Sequence, residues 1–125
     1  MPTRYPLDPA GPDAAAVRDT LRARQRLLAA EIAATRGASE VRGDEVLDQK
    51  DEATRREHNE IGDAEVERDV GELREIETAL RRLDEGRYGL CLACDEAIDP
   101  RRLQAEPFAV RCAPCQTKVE QARRR

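Results

Sequence analysis

Residues 66–84 read VERDVGELREIETALRRLD, and the spacing of their apolar side chains decides the fold. Val66, Val70, Leu73, Ile76, Leu80 and Leu83 follow one another at steps of four, three, three, four and three. Side chains three and four residues apart share one helix face, so this alternation is the narrow seam of a helix packed against one other helix. Asp, Glu and Arg fill most of the remaining positions in mixed sign, as on a solvated face. The pattern predicts a helix that starts near Asp51 and runs to about Asp84, with Gly62 and Gly71 each costing about 1 kcal/mol relative to Ala. Gly86 stands where such a helix can end.

A matching stripe lies upstream. From Asp13, an N-cap residue type, DAAAVRDTLRARQRLLAAEIAATRG carries Val17, Leu21, Leu28 and Ile32 on one face, and Gly37 marks a stop or weak point. Residues 38–50 have no clean period. Two arms that are each apolar on a single stripe bury those stripes most simply against each other, as an antiparallel hairpin. Residues 54–86 form an arm of roughly 50 Å at 1.5 Å per residue. Counting back an equal distance on the first arm puts the bend near residues 44–53. The stretch DQKDEA, residues 48–53, then falls at or beside the tip. The first dozen residues contain four prolines and a glycine and are expected to be a flexible lead-in.

Composition agrees with elongated helices rather than a large core. The chain has 125 residues, 38% of them charged, with no Trp, one Phe and two Tyr. Its net charge of −4 is unevenly spread: residues 38–70 hold twelve acids and five bases, whereas residues 87–125 hold eight bases and five acids. An acidic balance disfavours non-specific phosphate binding, so protein is a better partner than nucleic acid. No run of eighteen apolar residues and no signal peptide is evident, so a soluble, cytoplasmic protein is expected.

The strongest local signal is CLACDEAIDPRRLQAEPFAVRCAPC, which places Cys91, Cys94, Cys112 and Cys115 as two Cys-x-x-Cys pairs seventeen residues apart. Each short turn aims two thiolates at one ion, and the interval brings the pairs together. Two disulfides would need an oxidising compartment, and a thioredoxin-like redox pair a βαβ setting that is missing. An iron–sulfur cluster is chemically open, but the symmetrical spacing favours zinc. Four thiolates fill the tetrahedron, so one zinc ion would be structural and no catalytic residue is expected. His58, with no partner histidine on a polar helix, reads as a solvated residue. The tail QTKVEQARRR reads as a short polar helix with a basic end. Together these readings give a mostly α protein: residues 13–86 an antiparallel coiled-coil hairpin, residues 87–125 a small four-cysteine zinc finger with a C-terminal helix.

The finger resembles that of the DksA/TraR family of bacterial transcription regulators, with Tyr88, Gly89, Ile98, Arg102, Leu103, Ala105, Pro107 and Gln116 in pattern beside the four cysteines. Members of its DksA branch carry Asp-x-x-Asp-x-Ala at a coiled-coil tip, and Asp48, Asp51 and Ala53 match that motif. The resemblance implies a non-enzymatic regulator that binds RNA polymerase, rests its globular end on the rim of the secondary channel and inserts the coiled coil, so that Asp48 and Asp51 alter promoter complexes near the active site. Carboxylates on a thin stalk can reach cationic groups that a globular protein cannot. In some relatives guanosine tetraphosphate binds through basic side chains; the corresponding positions here are Gly71, Glu75, Glu106 and Gln116, none of them basic. Weak or absent potentiation by that nucleotide is therefore expected. A monomer without sequence-specific DNA or membrane binding is expected. The competing readings are a zinc-finger DNA-binding protein, which lacks a helix with clustered base-reading side chains, and a transcript-cleavage factor acting through the same channel.

Overall fold

A computed structural model describes residues 5–44 and 52–124, with side chains for residues 5–37 and 63–124. Asp48 and Asp51 lie outside the described residues; Ala53 and His58 lie in a helix, but their side chains are outside those described. Four helices follow in order: α1 (Pro12–Asp44), α2 (Glu52–Asp84), α3 (Pro100–Ala105) and α4 (Ala113–Arg124). The only extended pairing among the described residues is a single antiparallel bridge between Leu90 and Ala97. No helix among the described residues is long and apolar enough to cross a membrane.

The chain divides into two units, one of Met1–Ala23 with Arg74–Arg125 and one of Arg24–Leu73. In the first, Leu21 of α1 and Ile76, Ala79 and Leu83 of α2 are buried to 1% exposure or less. Full burial of a leucine side chain contributes roughly 1.5–3 kcal/mol. Arg18 pairs with Asp84 at 3.1 Å over this core, and with Asp84 68% exposed the pair adds only about 0–1 kcal/mol. In the second unit Leu28 and Ile32 are buried and Arg24 bonds Glu72 at 2.9 Å. Partners fall along α2 as they rise along α1, the order of an antiparallel pair.

Three details depart from the expected pattern. Helix α1 does not stop at Gly37 but continues to Asp44. A single glycine costs about 1 kcal/mol, too little to end a helix whose backbone bonds continue on both sides. The seam of α2 passes through Ala79, fully buried, and leaves Leu80 half-buried. Ala14 is likewise fully buried on α1, so small residues share the interface with the large ones. Residues 5–11, expected as a flexible lead-in, pack instead as part of the first unit. Leu7 is 5% exposed, the Tyr5 ring lies 6.0 Å from that of Tyr88, and Asp8 closes a turn by accepting from the amides of Ala10 and Gly11. The Tyr5–Pro6 peptide is cis.

Helix α2 ends in a Schellman turn. The amide of Gly86 donates to Leu83 at 3.2 Å and that of Arg87 to Arg82 at 2.7 Å, with Gly86 at φ 74°. Only glycine adopts that left-handed conformation without penalty. Helix α3 begins at Pro100, where the fixed φ suits the first turn, and is capped by Asp99, whose carboxylate accepts from the Arg101 amide at 2.9 Å.

Candidate metal centre

The Schellman turn delivers the chain into the first Cys-x-x-Cys pair within five residues. Gly89, at φ 96°, allows its carbonyl to accept from Ile98 at 2.8 Å, and Cys91 donates its amide to Glu96 at 2.7 Å. The turn closes when the Asp95 amide reaches the Cys91 carbonyl at 2.9 Å, with Asp95 left-handed at φ 62°. Aspartate is one of the few side chains that tolerate this region. The second pair is built on a helix start. The Cys112 carbonyl accepts from Gln116 at 2.9 Å, which makes Cys112 the residue before α4 and puts Cys115 in its first turn. Between the two turns, Leu92 donates to Val110 at 2.7 Å.

Beneath these turns lies a small apolar base of Tyr88, Ile98, Leu103, Ala109 and Val110, each at most 6% exposed. The Tyr88 hydroxyl donates to the Pro107 carbonyl at 2.8 Å, and burial holds this phenol well above its ordinary pKa. Replacing Tyr88 by Phe leaves that carbonyl unpaired. The metal-loaded variant is expected to lose about 1–2 kcal/mol, read as a lower urea midpoint with an unchanged slope.

The Sγ atoms of Cys91, Cys94, Cys112 and Cys115 all lie within 4.8 Å of one another, and those of Cys94 and Cys112 are 3.8 Å apart. A tetrahedral site with Zn–S bonds of about 2.3 Å has S···S edges of about 3.8 Å. Cys91 is fully buried and Cys94 exposed at the rim. Burial opposes ionisation of Cys91, but the backbone N–H groups of Cys112, Cys94 and Ala93 aimed at its sulfur outweigh it and bring its pKa down to about 6. Cys115 is pushed up to about 12, first by the neighbouring Cys112 thiol and then by burial. Four sulfurs so close cannot all carry negative charge unless a cation sits among them. The donor set fits one structural zinc ion, with every position of the tetrahedron taken by protein sulfur.

An antiparallel helix pair leading into a tetrathiolate centre defines a C4 zinc-finger protein of helical-hairpin type. Residues 86–121 match the prokaryotic dksA/traR C4-type zinc finger. This match covers the finger, and the likenesses that follow extend the similarity to the DksA/TraR family into the helical pair. It is similar to the RNA polymerase-binding transcription factor DksA of Haemophilus influenzae, 36% identical over 73 residues that cover 58% of this chain and 50% of that one. An uncharacterized protein of Aquifex aeolicus is 42% identical over 52 residues, covering 42% of this chain and 36% of the relative. The chain thus spans half or less of the length of these curated relatives. Among solved structures, transcription factor DksA2 from Pseudomonas aeruginosa has a TM-score of 0.76 at 28% identity, covering 98% of this chain and 95% of that one.

Of the four positions that the resemblance singled out for guanosine tetraphosphate, the fold brings Glu75, Glu106 and Gln116 to one cavity of about 200 Å³. Gly71 belongs to the second unit. Arg102 and Glu120 line the same cavity, a pairing not foreseen from the sequence because α3 itself was not.

Proposed function

We propose that this protein is a transcription factor that acts by binding bacterial RNA polymerase in the cytoplasm and has no chemistry of its own. The observation that carries this reading is the likeness to DksA2, which extends over 98% of the chain and so includes the helical pair as well as the finger. In this reading the zinc-bearing end docks on the rim of the secondary channel, and the α1–α2 connection enters the channel. Asp48 and Asp51 offer carboxylates to cationic groups there, and Ala53 keeps the approach close. The protein works as a monomer and does not read DNA sequence. Guanosine tetraphosphate gains little at the cavity that holds Glu75, Glu106 and Glu120, because three carboxylates against the single guanidinium of Arg102 repel a polyphosphate.

The test pairs binding with effect. The full-length protein and its Asp48→Asn/Asp51→Asn variant are titrated against purified polymerase, and the lifetime of promoter complexes is measured in parallel. Charge-assisted hydrogen bonds contribute about 1.5–3 kcal/mol, so the variant is expected to lose tenfold or more in its effect on lifetime while binding within about threefold of wild type. Undiminished regulation by the variant rules out the carboxylate mechanism. Failure of the wild-type protein to bind polymerase at all rules out the whole reading.

A further inference from the structure

Two arginines meet the metal centre from behind in the same way. Arg82, near the end of α2, donates from Nη2 to the Leu90 carbonyl at 3.2 Å. Arg102, on α3, donates from Nε to the Arg111 carbonyl at 3.2 Å. Leu90 precedes Cys91 and Arg111 precedes Cys112, so each guanidinium holds the peptide group that leads into one Cys-x-x-Cys turn.

Arg82 is only 7% exposed, and its Nε has no hydrogen-bond partner among the described residues. Burying a guanidinium with one donor unsatisfied costs several kcal/mol unless negative charge nearby offsets it. A zinc ion with four thiolates is a net dianion, and the carbonyl that Arg82 holds belongs to the residue before one of those thiolates. On the other side, the peptide polarised by Arg102 carries the Cys112 N–H, which points at the Cys91 sulfur. Hydrogen bonds in series strengthen one another in a low-dielectric setting.

We infer that Arg82 and Arg102 are a matched pair of positioning residues for the metal centre, each fixing the entry peptide of one cysteine turn, with Arg82 supplying buried positive charge toward the tetrathiolate and Arg102, paired with Glu106, polarising the peptide that points at Cys91. The pair also ties the centre to α2 through Arg82 and to α3 through Arg102. This inference is independent of polymerase binding.

The test uses the full chain with Arg82→Met, Arg102→Met and Arg82→Lys. Each Met variant is expected to hold zinc roughly 10- to 100-fold less tightly in competition with a chelator, the range seen when groups that support metal ligands are removed. Arg82→Lys keeps the charge and a donor and is expected within about threefold of wild type. In the cobalt-substituted protein, loss of positive charge raises the energy of the sulfur electrons. The thiolate-to-metal charge-transfer band of both Met variants should therefore move to longer wavelength.

Stability with and without metal separates this role from simple packing. Zinc-loaded Arg82→Met should melt below zinc-loaded wild type, whereas after metal removal, when residues 87–115 no longer fold over Arg82, the two should melt at the same temperature. Equal losses in the loaded and metal-free proteins, an unmoved cobalt band, or zinc affinity within twofold of wild type in both Met variants would each overturn the inference.

Discussion

Treated with a strong chelator at neutral pH, the protein is expected to release one zinc ion and lose the fold of residues 87–115 while keeping most of its helical ellipticity. The two long helices hold 33 residues each against 6 in α3 and 12 in α4, so the far-ultraviolet signal is dominated by elements that do not touch the metal. The finger has no such independence. Its base of one tyrosine and a few aliphatic side chains is too small to offset about 1–2 kcal/mol of backbone entropy for each ordered residue. Metal binding to such sites supplies about 10–16 kcal/mol at neutral pH, and that free energy is folding free energy. Acid should act in the same direction, since each thiolate must be deprotonated to bind and the ion is lost as pH falls. Near-ultraviolet dichroism of Tyr88 and metal content measured across a chelator titration check this. A Tyr88 signal that survives complete metal removal would show that the apolar base folds by itself.

The second large effect is expected at Gly89. Its φ of 96° strains any residue with a Cβ, and an added Cβ would lie 2.6 Å from Cγ of the Tyr5 ring. Left-handed backbone costs about 1–2 kcal/mol and overpacking about 1–3 more, so Gly89→Ala should destabilise the zinc-loaded protein by roughly 2–5 kcal/mol. Gly86→Ala is the natural comparison. It is also left-handed, at φ 74°, but its added Cβ meets only Pro9, at an ordinary 3.7 Å. That variant should lose only about 1 kcal/mol. The difference between the two isolates the contact with Tyr5, and adding Tyr5→Ala to the Gly89→Ala protein should restore part of the loss. Identical losses at both glycines would mean that the Tyr5 segment does not pack against Gly89 in solution.

What could be read from the sequence was whatever is set by local spacing. Four cysteines in two short turns declare a metal site because ligand geometry restricts which separations can converge. The step pattern from Val66 to Leu83 declares a paired helix because its period is set by backbone geometry. Gly86 was legible as a helix end because only glycine suits the turn that follows. The remainder depends on tertiary contact. Ala14 and Ala79 are core residues that composition does not distinguish from surface alanines. The prolines of the first dozen residues suggested a loose segment, although Tyr5 and Leu7 between them were the apolar groups able to dock it. Asp99–Pro100 carried a cap-and-start signal for α3, but six residues are too few to show a period. Arg102 was marked only by the finger's pattern and Arg82 not at all among so many arginines, because their distinction lies in the carbonyls they meet.

Helix α4 contains no buried side chain, and Lys118 on it is exposed. The sequence has just two lysines, Lys50 and Lys118, and Lys50 sits between Asp48 and Asp51. Changing Lys118 to Arg should therefore be harmless to the fold. It would leave a lone side-chain amine, beside the two aspartates, for attachment of a photoreactive group or dye.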